Sequence, residues 1–271
     1  MEKEQEYVLG THDEEIQRLG LQNTIWRPRA TDAWRRAGFT VGQTLLDVGC
    51  GPGWAALDLA GITGSRGRVI GVDVSKRFLE AAAAAAKARA LHHVEWHECD
   101  LDEQELPPVS VDGAWTRWVY SFVRRPQALL NRVAATLKPG GTMVIHEYVD
   151  YRTWRPAPLR EEFEAFVREV MASWRAHGGE PDIGLSLPGW LDAAGCELRE
   201  LRPLVETVRP GDFFWQWPDA FVDVGLTRLV QLGRVTEQQA EQVRRAYRES
   251  GQAPGAFQIT PMVLEIIAVK R

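Results

Sequence analysis

The segment LLDVGCGPG at residues 45–53 decides the fold that this sequence predicts. Its first residues belong to an apolar run over residues 44–48 that is typical of a buried strand, and residues 54–60 predict the helix that follows. Three closely spaced glycines lie between them, and glycine accepts positive φ and lets ligand atoms approach the bare backbone. The segment therefore predicts a strand, a glycine-rich turn and a helix, as in folds that bind nucleotides at this point.

Short apolar runs alternate with helical patterns from this turn as far as residue 148. Four more strands are predicted, over residues 68–72, 94–97, 113–118 and 142–148. An alanine-rich helix capped by Ser75 follows the second strand, and residues 126–137 predict another helix. This alternation requires crossover connections and hence a mostly parallel sheet, which binds ligands at the carboxyl ends of its strands.

The two ends of the chain are predominantly helical. Residues 11–38 predict two short helices, the second capped by Thr31. After residue 148, four helices are predicted over residues 159–174, 186–194, 213–232 and 236–249. Two strands are predicted over residues 196–208 and 257–270. The second stretch of helices interrupts the strand–helix alternation, so we interpret these helices as insertions near the ligand edge of the sheet.

Composition and charge argue against several classes of protein. A hydrophobic content of 45% and a charged content of 25% are typical of globular proteins, and a net charge of -5 favours neither a nucleic-acid nor a membrane partner. The acidic N-terminus has no apolar run behind it, so the sequence predicts no signal peptide and a cytoplasmic location. The three cysteines are far apart, which predicts neither a disulfide framework nor a metal site.

The spacing of the glycines argues against a dinucleotide site. Gly49, Gly51 and Gly53 form a G-x-G-x-G pattern, whereas the dinucleotide fingerprint has its third glycine one residue later. Trp54 occupies that position, and its ring would collide with a pyrophosphate. An oxidoreductase that uses a nucleotide cofactor is therefore a disfavoured alternative.

Three further segments follow. VIGVDVS at residues 69–75 and HECDL at residues 97–101 lie at the ends of predicted strands, and LKPGGTMVI at residues 137–145 is a turn that stops a helix and leads into a strand. Asp73 ends the second strand, where a carboxylate accepts hydrogen bonds from both ribose hydroxyls of a nucleotide. Asp100 ends the third strand and precedes a hydrophobic residue, Leu101.

In this order and at these intervals, the four segments resemble the class I S-adenosylmethionine-dependent methyltransferases, in particular the small-molecule enzymes related to quinone-biosynthesis C-methyltransferases. The resemblance implies an α/β fold with a doubly wound, mostly parallel sheet of seven strands in three layers, whose last strand is antiparallel. It implies methyl transfer from S-adenosylmethionine to an N, O or C atom of a small aromatic or apolar molecule. We predict a single domain: an N-terminal helical cover (1–40), a cofactor-binding core (41–150), lid insertions (151–185 and 210–256) and the last strand (257–271).

The resemblance also assigns roles to residues of the core. Asp47 and the glycine turn would hold the methionine part of the cofactor, Asp73 its ribose, Asp100 and Leu101 its adenine, and Arg117 would form the pocket floor. The predicted cofactor-binding residues are Asp47, Gly49, Cys50, Gly51, Gly53, Asp73, Val74, Asp100, Leu101 and Arg117. A loop-shaping role for Asp47 and a structural ion pair for Arg117 are the alternatives.

The acceptor side is predicted from the ends of strands and from clustered aromatic residues. His146 and Glu147 end the fifth strand, where side chains would face the transferred methyl group, so they are the candidate catalytic residues; a structural role for His146 inside the core is the alternative. Residues 213–217 contain four aromatic residues. The candidate acceptor-binding residues are Tyr7, Trp26, Tyr148, Tyr151, Trp215 and Trp217.

Two alternatives retain the cofactor. An RNA or protein methyltransferase is disfavoured by the acidic charge balance, by the absence of an Asn-Pro-Pro-Tyr type motif and by the lack of an appended binding domain. A pericyclic or binding protein that does not transfer the methyl group stays open. The identity of the acceptor and the oligomeric state, monomer or homodimer, also stay open, in part because Arg124 and Arg125 occupy a loop where the quinone-type relatives often have a histidine.

Overall fold

A computed structural model describes residues 13–271, and the first part of this range alternates strands and helices. Its elements are α1 (Asp13–Arg36), β1 (Thr44–Val48), α2 (Trp54–Thr63), β2 (Arg68–Asp73), α3 (Lys76–Ala88), β3 (Val94–Glu98), β4 (Val111–Arg117), α4 (Pro126–Thr136) and β5 (Leu137–Asp150). The Ser75 side chain caps α3 by accepting a hydrogen bond from the Phe78 amide, as the sequence predicts.

Helices occupy most of the second part of the chain. Its elements are β6 (Arg155–Ala157), α5 (Glu161–Ala176), α6 (Leu187–Ala193), β7 (Cys196–Leu204), β8 (Thr207–Val208), α7 (Gln216–Gln231), α8 (Glu237–Gln252), β9 (Phe257–Ile259) and β10 (Met262–Lys270). Helix α8 begins with a capping box in which Thr236 and Gln239 each accept from the other's backbone amide. No helix within residues 13–271 has the length and apolar character needed to cross a membrane.

Seven strands form one sheet in the order β3-β2-β1-β4-β5-β10-β7. Strand β10 is antiparallel to both of its neighbours, β5 and β7, while the pairs from β3 to β5 are parallel. The predicted doubly wound, seven-stranded α/β fold with one antiparallel last strand is confirmed. Strands β6, β9 and β8 form a second, small sheet.

The sheet has a hydrophobic cluster on each face. On one face, Ala33 and Trp34 of α1 and Leu59 of α2 pack against strand residues such as Leu45 and Trp115. The other face packs against α4 and α6 through residues that include Leu129, Val133, Leu187 and Leu191. Adjacent residues Leu45 and Leu46 belong to opposite faces, because side chains alternate along a strand. The result is the three-layer arrangement that the resemblance implies.

The predicted break between two N-terminal helices is wrong. Residues 11–38 were expected to form two helices, yet α1 continues from Asp13 to Arg36 with Pro28 inside it. The buried residues Trp26, Ala30 and Ala33 repeat at helical spacing across the predicted break, so packing against the sheet outweighs the capping preference of the exposed Thr31.

The two C-terminal strand predictions also need correction. Residues 196–208 divide into β7 and β8, and residues 257–270 divide into β9 and β10. In both cases the chain changes sheets: β8 and β9 pair with each other in the small sheet, whereas β7 and β10 pair in the large one. A hydrogen bond from the Thr260 amide to the Glu206 carbonyl joins the two bends.

Candidate active site

A cavity of about 390 Å³ lies at the carboxyl ends of β1, β2 and β4. Nine of the ten predicted cofactor-binding residues line it: Asp47, Gly49, Cys50, Gly51, Asp73, Val74, Asp100, Leu101 and Arg117. The tenth, Gly53, lies at the start of α2. The parallel strands bring these residues together, since their carboxyl ends meet at one edge of the sheet.

The glycines of the turn have different structural tasks. Gly51 has φ +54°, and a Cβ there would meet no atom within 4 Å, so its backbone borders open space. Gly53 has φ +80°, and a Cβ there would lie 2.6 Å from both Ala82 Cβ and the Trp96 ring. Gly51 therefore leaves room for a ligand, whereas Gly53 allows α2 to pack closely against α3 and β3.

Asp73 holds the glycine turn and the start of α3. One carboxylate oxygen accepts from the Gly51 amide at 2.8 Å, and the other accepts from the Ser75 amide at 2.8 Å. Burial raises the pKa of the Asp73 carboxyl, against these hydrogen bonds. Each carboxylate oxygen keeps a further lone pair, so Asp73 retains the capacity to bind ribose hydroxyls.

Asp47 and Arg117 place an acidic and a basic group on neighbouring strands inside the cavity. Burial raises the pKa of Asp47 to about 8, although the charge of Arg117 lowers it. Burial likewise lowers the pKa of Arg117 to about 10, with Asp47 opposing the shift. Arg117 donates from Nη2 to the Asn23 amide oxygen at 2.8 Å, which attaches β4 to α1.

Both side chains also have an unused polar atom. Asp47 Oδ2 and Arg117 Nη1 are buried and have no hydrogen-bond partner within residues 13–271. Buried polar atoms are nearly always paired, so these two atoms favour a ligand that brings both a cation and an anion. The ammonium and carboxylate of a methionine moiety meet that requirement, and the residues present therefore fit S-adenosylmethionine.

Helix α1 closes one side of the cavity. Leu19, Gln22 and Asn23 contribute to its lining, and so does Trp54 at the start of α2. A Cβ on Gly20 would lie 3.4 Å from the Trp54 ring, so α1 and this indole are in close contact. Trp54 thus forms part of the cavity wall beside the turn, at the sequence position where the dinucleotide fingerprint has its third glycine.

The structure contradicts the prediction that His146 is catalytic. Its side chain is fully buried and does not line the cavity, because the Trp115 ring lies against it with 4.8 Å between ring centroids. Its Nε2 is 3.0 Å from Glu265 Oε2, and Arg36 donates to the same carboxylate. Burial lowers the pKa of His146. The histidine belongs to a charge network that attaches α1 to β10.

Glu147 is also wrong as a catalytic candidate. It is fully buried, and its Oε1 accepts from the Tyr120 amide at 2.7 Å while its Oε2 accepts from Ser121 Oγ at 2.7 Å. Burial raises the pKa of Glu147 to about 7, against these hydrogen bonds. Because Glu147 and His146 are adjacent in β5, their side chains point to opposite faces of the sheet, and each of them anchors a different segment.

The predicted acceptor-binding aromatics form a hydrophobic core behind the cavity wall, where Tyr148 and Trp217 each stack on Trp118 with 5.5 Å between ring centroids. The ring centroids of Trp26 and Trp217 are 4.8 Å apart, and those of Tyr148 and Tyr151 are 4.9 Å apart. Trp215 stacks on Tyr247 of α8, and none of these five predicted residues lines the cavity. The remaining candidate, Tyr7, lies outside the described residues. Helices α5, α7 and α8 need a hydrophobic core of their own, and the aromatic residues supply it.

Residues that sequence reasoning missed form the rest of the cavity wall. The main ones are Trp118, Phe122, Arg124, His177 and Arg228. Trp118 has φ +53°, which is unusual for a residue other than glycine and marks a constrained position directly after β4. The position of Trp118 at a strand end was a usable signal, whereas His177 and Arg228 reach the cavity only through the packing of distant helices.

Comparison with known proteins identifies related sequences. The family described as "Methyltransferase domain" matches residues 45–141. The demethylmenaquinone methyltransferase of Lactococcus lactis is 30% identical over 202 residues, which cover 71% of this chain and 73% of that protein. The nocamycin O-methyltransferase of Saccharothrix syringae is 31% identical over 194 residues, covering 65% and 68% of the two chains.

Solved structures with low sequence identity share the fold. A Bacillus halodurans protein described as a methyltransferase has a TM-score of 0.61 at 16% identity, covering 89% of this chain and 98% of its own. The 4+2 cyclase SpnF has a TM-score of 0.58 at 20% identity, covering 90% and 80%. At these identities the similarity extends to the fold alone.

Proposed function

The chain belongs to the class I S-adenosylmethionine-dependent methyltransferases, and we propose that it methylates a small molecule bound next to Trp118 and Phe122. The observation that carries this proposal is the pair of unsatisfied buried atoms, Asp47 Oδ2 and Arg117 Nη1, in a cavity beside the glycine turn. We assign Asp47 to the methionine ammonium and Arg117 to the methionine carboxylate. Asp73 binds the ribose hydroxyls, and Asp100 with Leu101 borders the adenine.

The bound cofactor supplies a methyl group on a positively charged sulfur, which is intrinsically reactive toward nucleophiles. The residues of the chain therefore contribute mainly by alignment and by excluding water. Asp47, Arg117 and Asp73 hold the cofactor at two points, which limits its rotation in the cavity. Helix α1 and Trp54 close the cavity on the side of the glycine turn and keep water away from the reacting atoms.

His177 is the residue that we assign to proton removal, where the acceptor must lose a proton. It lines the cavity directly after α5, and its Nδ1 is 2.6 Å from the Ser173 carbonyl oxygen. A carbonyl oxygen only accepts, so Nδ1 carries a hydrogen, and Nε2 is the ring nitrogen left to take a proton from an acceptor. Replacing His177 with glutamine should lower kcat for such an acceptor by about 10²-fold or more, the contribution typical of a general base. An unchanged kcat would leave positioning as the whole mechanism.

We propose a cytoplasmic protein, because the three cysteines are buried and free, as is usual in reducing compartments. We also propose that neither nucleic acid nor a membrane is its partner. The demethylmenaquinone methyltransferase and the nocamycin O-methyltransferase are each named for a small organic molecule. This supports a small organic acceptor for the present chain.

The first experiment is calorimetric titration with S-adenosylhomocysteine and NAD, followed by mass spectrometry of a metabolite extract incubated with S-adenosylmethionine. We expect binding of the sulfur nucleotide, no binding of NAD and a product heavier by one methyl group. Asp47→Asn and Arg117→Gln should weaken binding, whereas Arg245→Gln, an exposed change on α8, should not. Binding without any methylated product would support a pericyclic or binding protein, and binding of NAD alone would exclude the proposed cofactor site.

A further inference from the structure

The charged residues of the cavity are separated by sign. Its acidic residues, Asp47, Asp73, Asp100 and Asp102, come from the ends of β1 and β2 and from the loop after β3. Its arginines, Arg117, Arg124 and Arg228, come from β4, from the loop after it and from α7. Arg117 has a proposed partner in the methionine carboxylate. The other two arginines have no task in binding the cofactor as proposed above.

Arg228 is the less exposed of these two arginines. Its Nε is buried and has no hydrogen-bond partner in the described part of the chain, and its Nη1 reaches only the neutral amide oxygen of Gln231, at 3.4 Å. None of the ion pairs found among residues 13–271 includes Arg228. A guanidinium that is partly removed from water without a carboxylate is costly, so this side chain favours a ligand with negative charge.

Arg124 also lines the cavity, beside the loop that follows α5. Its backbone amide donates to Asp102 at 2.7 Å, and its side chain passes Gly178, where an added Cβ would lie 3.2 Å from Arg124 Cγ. The hydrogen bond holds the backbone at Arg124, and the start of its side chain lies against Gly178. As with Arg228, the ion pairs of residues 13–271 do not include the Arg124 guanidinium.

Neighbouring arginines outside the cavity behave differently. Arg125 pairs with Glu103 at 2.9 Å, and Arg175 pairs with Glu180 at 2.6 Å. The local sequence therefore does provide carboxylates to surface arginines.

Exposed arginines elsewhere, such as Arg199 and Arg245, have no carboxylate partner within residues 13–271 either, so a missing ion pair alone does not indicate a ligand. Arg228 differs because its buried, unpaired Nε belongs to a side chain that lines the cavity, which favours a partner from outside the chain.

We propose, on the basis of the function given above, that the methyl acceptor is a flat, apolar molecule carrying a carboxylate, held by Arg228 and Arg124 against Trp118 and Phe122. The planar guanidinium matches a carboxylate with two parallel hydrogen bonds. An anionic acceptor is also attracted to the positively charged sulfur of the methyl donor. The aromatic side chains accommodate the apolar body of such a molecule.

The test uses the full chain saturated with S-adenosylhomocysteine and a panel of paired probes: benzoate with benzamide, and naphthoate with naphthamide. Binding is followed by calorimetry and by tryptophan fluorescence, because Trp54, Trp115 and Trp118 line the cavity. We expect the carboxylates to bind about ten- to a hundredfold more tightly than the amides, because a hydrogen bond between charged groups contributes more free energy than one to a neutral amide. Arg228→Gln should remove most of this preference, and the control Arg245→Gln should retain it.

The outcomes separate this proposal from the proposed function. If S-adenosylhomocysteine does not bind, the assignment of the cofactor site fails. If it binds but no probe carboxylate binds more tightly than its amide, the anionic acceptor is wrong and the cofactor site stands. A preference that is equal in wild type and Arg228→Gln, or a loss of S-adenosylhomocysteine affinity in Arg228→Gln, would also overturn the assignment of Arg228.

Discussion

Asp47 should release a proton when the cofactor binds, because the free cavity and the bound cavity favour different forms of its carboxyl. Burial raises the pKa of Asp47 to about 8 in the free protein, with Arg117 lowering it and Asp73 raising it. At pH 7 a group with this pKa is about 0.9 protonated. A methionine ammonium beside Oδ2 favours the carboxylate, so binding of S-adenosylhomocysteine should release close to one proton.

This coupling gives the affinity a defined pH dependence. Affinity should rise with pH and level off above pH 8, because the carboxyl is then already ionised; at pH 6 it should be about a hundredfold lower than on the plateau. Asp47→Asn cannot ionise, so it should bind weakly, release no proton from this position and lose the pH dependence. Calorimetry in buffers of different ionisation enthalpy measures the proton count directly.

The free energy of unfolding of the cofactor-free protein should fall as pH rises, whereas its affinity for the cofactor rises. The folded-state pKa of Asp47 lies above the unfolded value, so the stability that its protonated form contributes is complete below about pH 4 and is lost as pH rises through 8. Asp47→Asn should therefore gain melting temperature relative to wild type between pH 5 and pH 9. Asp112→Asn, a matched change at an exposed pair with Lys138, should leave proton release unchanged. Equal proton release by wild type and Asp47→Asn at pH 7 would refute the reasoning.

Three other variants test the remaining assignments. Asp73→Ala should weaken S-adenosylhomocysteine binding on the order of a hundredfold in calorimetry and also lower the melting temperature, since the Gly51 amide loses its acceptor; an unchanged dissociation constant would mean that the ribose is held elsewhere. His146→Gln should keep every limb of the pH–rate profile and lose less stability than wild type as pH falls below about 6.5, because the buried ring must stay neutral; a lost kinetic limb would return it to the chemistry. Trp215→Ala should lower the melting temperature by removing the stack on Tyr247 and leave the acceptor KM unchanged, so a raised KM would contradict its position off the cavity.

The cofactor half of the cavity was predictable because its residues are local to strand ends. Asp47, Asp73 and Asp100 each lie at or just after the end of a strand, and parallel pairing brings such ends together whatever the rest of the fold does. The glycine spacing added information on the backbone, since only a residue without Cβ suits the open, positive-φ position of Gly51. Local pattern and sheet topology were sufficient for this half.

The acceptor half was not predictable by the same reasoning, because its residues come from segments that are distant in sequence. Arg124, His177 and Arg228 meet through the packing of α5 and α7 against the loops after the strands. Aromatic clustering was a misleading signal: the inserted helices bury Trp217, Tyr148 and Tyr151 among themselves. A dense aromatic run indicates only that a surface must be covered, and it does not say whether the cover is a ligand or another helix.

The two polar residues at the end of β5 show why position at a strand end is insufficient evidence for catalysis. The loops that bind a ligand need anchors as well as ligand contacts, and both tasks call for buried polar side chains. Glu147 holds the amides after β4 and thereby fixes Trp118 and Val119 at the cavity wall, while His146 supports Trp115 from behind. The carboxylate of Glu147 has its hydrogen bonds within the chain, whereas Asp47 and Arg117 each retain an unused atom and line the cavity. His146 Nδ1 and Trp34 Nε1 are buried without a partner in the described part of the chain too, but neither residue lines the cavity. An unsatisfied buried atom therefore indicates a ligand only where its residue also lines a cavity.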